Sequence, residues 1–395
     1  MRPQYDICVI GGCGHVGLPL GIAFAQRGKS VVLFDRNAAV VDQVNGGCMP
    51  FMDAGASAAL LEVIGKRLTA TTDAAVMATA DVVVATIATP VDPHLNPELD
   101  DIWNLVQQVH PYVLDRQLFI LRSTVYPGVT EFLGEAFGRF GKHPLIAFCP
   151  ERIAEGHAIE ELTSLPQIVS GLTPAAVQAA RDLFAVLTPS VLELAPREAE
   201  LAKLFSNAWR YINFAVANQF YTLATQANLN FYRIYEAMTH DYPRLQGFPR
   251  PGFTSGPCLF KDTMQLAAFS NNNFFLGHAA MLVNEGLPYF VIGKLKERHP
   301  LNQMTIGIAG MAFKADIDDR RDSLSDKLLK ILRLEAKQVL CSDPYIRDPD
   351  FVSIETLIER SDLVIIGVPH RQYRDLRVDP RKVVDVWKFI GGTAL

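Results

Sequence analysis

The sequence predicts an α/β protein in which two doubly wound domains are joined by a long central helix and a small helical domain. Three observations carry this reading. Short apolar runs without polar alternation recur toward both ends of the chain, each followed by a helical pattern, as buried parallel strands with crossover helices require. One such run at each end enters a glycine turn, at Gly11-Gly12 and again at Gly310. Between them, residues 197–237 contain neither Gly nor Pro, and Leu201, Leu204, Ala208, Ile212 and Ala215 recur at helical spacing.

The elements follow in order. Ile7-Cys8-Val9-Ile10 is a strand that leads into Gly11-Gly12-Cys13-Gly14-His15-Val16-Gly17. A helical pattern with Leu18, Leu20, Ile22 and Phe24 runs to Gly28, and Val31-Val32-Leu33-Phe34 is a second strand ending at Asp35. Strand, turn, helix and strand make a βαβ unit. Val82-Val83-Val84, Leu118-Phe119-Ile120-Leu121, Ile146-Ala147-Phe148 and Ile168-Val169-Ser170 extend a parallel sheet, so residues 1–196 read as a Rossmann-like domain. Residues 197–237 form one long helix or two in close succession. A loop rich in Pro and Gly occupies 241–257, and further helices complete a central domain over 197–300. Four more strand runs, at 305–310, 339–343, 363–368 and 383–386, make 301–395 a second, smaller Rossmann-like domain.

Composition narrows the function. A chain of 395 residues exceeds one ordinary core. Its net charge of −5 lacks the basic surface that nucleic acid demands, so no nucleic-acid partner is expected. The apolar runs are strand-sized and the opening residues carry no secretory pattern, which predicts a cytoplasmic protein that does not enter a membrane. The six cysteines are scattered, without CxxC or zinc-ligand spacing, and read as free thiols with no metal site.

Gly12-Cys13-Gly14-His15-Val16-Gly17 fits G-x-G-x-x-G directly after a strand and at the opening of a helix. Gly12 allows the tight turn, Gly14 admits a pyrophosphate against the backbone, and Gly17 lets helix and strand approach. The helix N-terminus, with His15 and Val16, then faces the phosphates. Asp35 supplies the carboxylate expected about 20 residues on. It accepts from ribose hydroxyls and repels a 2′-phosphate, which favours NAD; Arg36 beside it is the feature that would suit NADP.

The loop Pro251-Gly252-Phe253-Thr254-Ser255-Gly256-Pro257 precedes Cys258-Leu259-Phe260-Lys261-Asp262. Small residues bring backbone close to a ligand, and Cys258 stands near the start of a helix. The positive end of a helix and a neighbouring lysine both favour a thiolate. A thiolate adds to an aldehyde to give a thiohemiacetal, whose oxidation yields a thioester that water hydrolyses. Asp262, four residues on, shares the helix face and is placed to activate that water.

Further blocks carry a resemblance: Ser123-Thr124-Val125-Tyr126-Pro127-Gly128, Cys149-Pro150-Glu151-Arg152-Ile153-Ala154-Glu155-Gly156, Glu200-Leu201-Ala202-Lys203-Leu204-Phe205-Ser206-Asn207, and Phe313-Lys314-Ala315-Asp316 running to Arg321-Asp322-Ser323. Together with the glycine turn and the Cys258 loop, and in this order, the chain resembles the UDP-glucose/GDP-mannose dehydrogenase family. The resemblance implies oxidation of a sugar C6 alcohol to the acid, two NAD per turnover, and a homodimer built on the long helix. By position, Cys258 is the nucleophile, Lys203 and Asp262 handle protons, and Lys203 and Asn207 stabilise the oxyanion. Thr124 holds a catalytic water, and Glu151 and Glu155 line the sugar and proton path. Thr89, Thr124, Lys261 and Arg321 join the turn, Asp35 and Arg36 on the cofactor side. Arg152, Arg244, Phe253, Gly256, Phe313 and Lys314 join Glu151, Lys203, Asn207 and Cys258 on the nucleotide-sugar side, with Arg244 reaching a neighbouring subunit.

Signals for the sugar divide. Cys258-Leu259-Phe260-Lys261-Asp262 and Glu155-Gly156 resemble the UDP-glucose branch, which is the leading expectation. Cys149-Pro150-Glu151-Arg152 and the spacing from Tyr242-Pro243-Arg244 to the thiol resemble the N-acetylhexosamine branch. GDP-mannose and dTDP-glucose stay open. Ser255-Gly256-Pro257 stands where the family usually has Gly-Gly-Ser or Gly-Gly-His, His15 replaces a tyrosine, and Asp385-Val386-Trp387-Lys388 lacks the usual Asp-then-Arg. A two-electron dehydrogenase of the 3-hydroxyacid type would leave the domain after Met304 unused, and a non-catalytic nucleotide binder would leave Lys203, Asn207, Cys258 and Asp262 without purpose.

Overall fold

The computed structural model describes residues 4–87, 100–392 and 395. The chain forms two compact units, Met1–Ser206 and Asn207–Leu395, and their boundary falls inside one helix. The first unit runs β1 (Tyr5–Ile10), α1 (Gly17–Gln26), β2 (Val31–Phe34), α2 (Ala38–Asn45), α3 (Ala56–Val63), β3 (Leu68–Thr71), β4 (Ala80–Ala85), α4 (Asp100–Val109), β5 (Leu118–Leu121), α5 (Val129–Arg139), β6 (Leu145–Phe148), α6 (Ala158–Ser164), β7 (Gln167–Gly171), α7 (Pro174–Phe184) and β8 (Val191–Glu193). Strand order is β3-β2-β1-β4-β5-β6-β7-β8. Successive strand residues face opposite layers: Ile7 and Val9 pack with Leu18 and Phe24, whereas Cys8 and Ile10 pack with Val106 and Phe137. Both faces are therefore covered, as the unbroken apolar runs require.

One expectation needs correction. β7 pairs with β6 antiparallel, with Ala147 opposite Gly171. An apolar run reports burial on both faces but not strand direction. The 149–157 segment and the short α6 bring the chain back reversed. Strands β3 and β8 are short, and neither stands out as an apolar run.

The breaker-free stretch forms two helices, α8 (Pro196–Gln226) and α9 (Phe231–Thr239). Asn228 takes a left-handed conformation (φ 57°) just past α8, a role Asn fills more readily than most residues. Asn230 then caps α9 by accepting from the N–H groups of Tyr232 and Arg233.

The second unit continues from Asn207 through α10 (Leu259–Phe269), α11 (Phe275–Arg298), β9 (Thr305–Ala309), α12 (Leu324–Glu335), β10 (Gln338–Ser342), α13 (Ile354–Arg360), β11 (Leu363–Ile366) and β12 (Val383–Val384). Its sheet order is β10-β9-β11-β12, parallel throughout. Ile306, Ile308 and Ile365 pack on Leu287 and Val291 of α11, while Val364 and Ile366 face Leu357 of α13. The chain is thus an α/β protein with two Rossmann-like sheets and a long central helix. Among the described residues no helix is long and apolar enough to cross a membrane.

Candidate active site

In the first unit, strand order reverses between β1 and β4, and ligands of such sheets bind outside the strand ends at that point. The glycine turn lies there. A Cβ on Gly12 would sit 2.6 Å from the Leu33 Cβ, and one on Gly17 would sit 2.5 Å from the Gly11 carbonyl oxygen and 2.9 Å from the Thr86 hydroxyl. Both glycines are demanded by the fold. A Cβ on Gly14 meets nothing nearer than the Gly11 oxygen at 3.4 Å, which leaves room for a pyrophosphate against the backbone. Gly12→Ala should cost about 3 kcal/mol or more of stability. Gly14→Ala should melt near the wild-type temperature yet bind NAD about tenfold more weakly, with one hydrogen-bonding approach lost; paired thermal melts and NAD titrations check both.

Asp35 accepts from the N–H of Cys13 at 3.2 Å and of Asn37 at 3.1 Å. A carboxylate has about four acceptor positions, so capacity remains for a ribose diol. His15 stacks on Phe51 with centroids 4.1 Å apart, Val16 precedes α1, and Arg36 is exposed. Thr89 lies outside the described residues.

Thr124 is half-buried, beyond the end of β5, in the loop that leads to α5. That loop is held by Glu200 from the start of α8. The fully buried Glu200 carboxylate accepts from the Gly128 N–H at 2.6 Å, the Thr130 N–H at 2.8 Å and the Thr130 hydroxyl at 2.5 Å. Burial pushes this carboxyl above its ordinary range, against the pull of those bonds. Glu151 is buried too. Its Oε2 pairs with the guanidinium of Arg122, and its Oε1 accepts from the N–H groups of Arg152 at 2.7 Å and Ile153 at 3.0 Å. Arg122 has no exposed surface, bonds the Cys149 carbonyl and Gln167 at 3.1 Å each, and lies over the Phe184 ring. Arg152 donates to the Pro166 carbonyl, and Glu155 is half-buried beside Gly156.

In the second unit, Cys258 is the N-cap residue of α10 and is exposed. Asn207 on α8 donates to Asp262 on α10 at 2.5 Å, and Lys261 lies 3.6 Å from the other Asp262 oxygen. Asp262 is fully buried. Lys203 sits one turn before Asn207 on α8. The remaining thiols separate cleanly from Cys258. Burial pushes Cys8, Cys13 and Cys149 up to about 12 and Cys341 up to about 11, which leaves them inert. Cys48 is exposed but follows a helix rather than opening one.

The Cys258 loop is anchored from behind. Asn218 on α8 accepts from the Gly252 N–H at 2.8 Å and donates to its carbonyl at 3.2 Å, and it bonds Asn284 of α11 at 2.9 Å. Phe253 is buried next to them in sequence, with 2% of its surface exposed. Arg244 is exposed and lies over the Tyr242 ring. Phe313 and Lys314 sit half-buried in a loop closed by the Phe313 N–H donating to the Asp319 carbonyl at 2.9 Å. Arg321 forms a two-pronged pair with Asp319, through Nε at 2.8 Å and Nη2 at 2.5 Å.

Asp343 ends β10 as Asp35 ends β2, yet their carboxylates differ in capacity. Asp343 accepts from the N–H groups of Met311, Ala312, Tyr345 and Ile346 and faces Nε2 of His370 at 3.1 Å. Its acceptor positions are filled by the protein itself. Of these two strand-end carboxylates, that of Asp35 keeps acceptor positions open. The roles of Arg122, Glu200, Asn218 and Asp343 were invisible in the sequence, where each reads as an ordinary polar residue.

Three models of one family match consecutive parts of the chain: its NAD-binding domain over residues 5–188, its central domain over 197–285 and its UDP-binding domain over 307–391. The chain is 30% identical to the UDP-N-acetyl-D-mannosamine dehydrogenase of Pyrococcus horikoshii, covering 92% of this chain and 90% of that protein. It is 26% identical to an NDP-N-acetyl-D-galactosaminuronic acid dehydrogenase of Ralstonia nicotianae, over 95% and 94% of the two chains. Among solved structures, a UDP-glucose dehydrogenase of Pyrobaculum islandicum superposes with a TM-score of 0.89 at 26% identity, over 98% and 95%. Matched along its length by these three domains, the chain belongs to the UDP-glucose/GDP-mannose dehydrogenase family and is an NAD-dependent nucleotide-sugar dehydrogenase.

Proposed function

We propose that the chain oxidises the C6 alcohol of a UDP-N-acetylhexosamine, UDP-N-acetylmannosamine foremost, to the uronic acid through a thioester on Cys258. The observation that carries the mechanism is the exposed thiol at the N-terminus of α10, on the helix whose Asp262 is bonded by Asn207. NAD⁺, when bound, accepts a hydride in each of the two oxidations. Lys203 and Asp262 carry away the C6 hydroxyl proton as the alcohol becomes an aldehyde. The Cys258 thiolate adds to the aldehyde carbon, the carbonyl π pair moves to oxygen, and Lys203 and Asn207 donate to that oxyanion. Loss of the second hydride turns the thiohemiacetal into a thioester. A water held at Thr124 and deprotonated by Asp262 attacks it; the C–S bond breaks, its electron pair returns to Sγ, and the acid leaves.

The remaining assignments support binding. The turn from Gly12 to Gly17, Asp35, Arg36, Thr89, Lys261 and Arg321 serve the dinucleotide. Glu155, Arg152, Phe253, Gly256, Phe313 and Lys314 serve the nucleotide sugar. Glu151, with its carboxylate held by Arg122 and two backbone N–H groups, shapes that site rather than shuttling protons. The domains are 1–196, 197–300 and 301–395, and the enzyme works in the cytoplasm as a homodimer. Trp209, Val216, Phe220 and Leu223 are exposed along α8, an apolar face that a second copy would cover; the exposed Arg244 would reach that copy.

The sugar assignment departs from UDP-glucose because the acetylhexosamine-type sequences Cys149-Pro150-Glu151-Arg152 and Tyr242-Pro243-Arg244 agree with the names of the curated relatives. UDP-glucose stays as a second reading on Cys258-Leu259-Phe260-Lys261-Asp262 and on the Pyrobaculum neighbour. A panel of UDP-N-acetylmannosamine, UDP-N-acetylgalactosamine, UDP-glucose, GDP-mannose and dTDP-glucose decides. The expected result is highest kcat/KM on UDP-N-acetylmannosamine with two NADH per acid. Equal or better turnover of UDP-glucose would restore the other sugar, and one NADH per product would overturn the double oxidation.

A further inference from the structure

Ser255-Gly256-Pro257, just before the thiol, is bound to the segment that carries Phe313, Lys314 and Arg321. The Ser255 hydroxyl accepts from the N–H of Leu324, the first residue of α12, at 3.1 Å. The N-cap residue of that helix, Ser323, accepts from Ser325 instead, so Ser255 satisfies a helix N–H that the N-cap does not reach. One residue on, the Gly256 N–H donates to the Asp322 carbonyl at 3.3 Å. Gly256 has φ +113°, and a Cβ there would stand 2.5 Å from the Phe313 ring, so backbone and ring are in direct apposition. Cys258 follows two residues later.

We propose that Ser255 is a positioning residue: it fastens the Cys258 loop to the 313–324 segment, so that the nucleotide-binding segment sets the placement of the thiol. A glycine at this position would have no hydroxyl and form no such bond. The loop is then held at two points. Asn218 grips Gly252 from α8 and α11, and Ser255 with Gly256 grips α12 and the residues before it. Only the second grip connects the thiol to residues that meet the nucleotide sugar. This rests on the nucleotide-sugar reading for its consequence in turnover, but not for the fastening itself.

The test uses the full-length protein without ligand and follows iodoacetamide labelling of Cys258 by peptide mass spectrometry, which resolves it from the exposed Cys48. Loss of one hydrogen bond shifts a local equilibrium by about five- to tenfold. Ser255→Ala should label Cys258 about fivefold faster, and Ser255→Thr, which keeps the hydroxyl, should return to within about twofold of wild type. On the nucleotide sugar, Ser255→Ala should lower kcat for acid formation by about fivefold and Ser255→Thr should restore it, a rescue that general loosening of the fold would not give. Wild-type labelling in Ser255→Ala, or failure of Ser255→Thr to restore it while the melting temperature holds, overturns the fastening. If the wild type oxidises no nucleotide sugar, the functional reading fails, and the ligand-free labelling ratio still decides the role of Ser255.

Discussion

Cys258→Ala should stop net acid formation, to at least about a thousandfold below wild type. The size follows from what the thiol is asked to do. Without it the aldehyde has no covalent route to a second oxidation, and no other thiol can substitute: Cys8, Cys13, Cys149 and Cys341 are buried and held protonated. In the proposed mechanism the first oxidation does not use sulfur, so NADH release should stall at or below one per sugar while the aldehyde is trapped with a hydrazine. Cys48→Ala is the matched control, since that thiol is exposed but opens no helix, and should retain wild-type rates. Acid production at the normal rate by Cys258→Ala would remove the thioester from the mechanism, whatever sugar is used.

What was legible in the sequence is what is encoded locally. The glycine turn, the Asp35 strand end and the helix start after Cys258 each depend on residues within a short span, where spacing and backbone preference decide the outcome. Strand burial was legible for the same reason, since β1 and β5 carry their own apolar runs. The reversal of β7 was not, because pairing direction is set by how the chain returns. The supports of the site were hidden for a different reason. Arg122 and Glu151, Glu200 and Thr130, Asn218 and Gly252 are far apart in sequence, and a charged or amide residue taken alone reads as solvated surface. Each becomes buried only because a distant segment supplies its hydrogen-bond partner. Ser255 was hidden in the same way, since its bond to the Leu324 N–H joins residues 69 positions apart. The sugar was not legible at all, because the Cys258 motif and the Cys149-Pro150-Glu151-Arg152 motif point to different sugars.

Asp343→Ala should destabilise the second unit by about 3–5 kcal/mol at neutral pH. The wild-type side chain has no exposed surface and faces His370 as well as four backbone N–H groups, with Met311 at 2.7 Å and Tyr345 at 2.9 Å among them. Alanine leaves those donors without the carboxylate that accepts from them. Burial alone would raise the Asp343 carboxyl, but the bonds from His370, Met311 and Tyr345 outweigh it and hold the carboxyl below its ordinary range. For a carboxyl lowered in the folded state, the stabilisation is complete above the unfolded value of 3.8 and is lost as pH falls through the folded value. The gap between wild type and Asp343→Ala should therefore hold steady from neutral pH down to about pH 5 and narrow only below about pH 4. Because the chain has two units, a global melt would mix their transitions. Urea titrations read by amide exchange in β9, β10 and β11 isolate the right one, and a difference under about 1 kcal/mol at neutral pH would deny Asp343 this role. The same substitution frees the Met311-Ala312 turn that leads into Phe313 and Lys314, so UDP should bind more weakly to the variant even where the unit stays folded. Asp35 and the glycine turn belong to the other unit, so NAD affinity should fall less than UDP affinity.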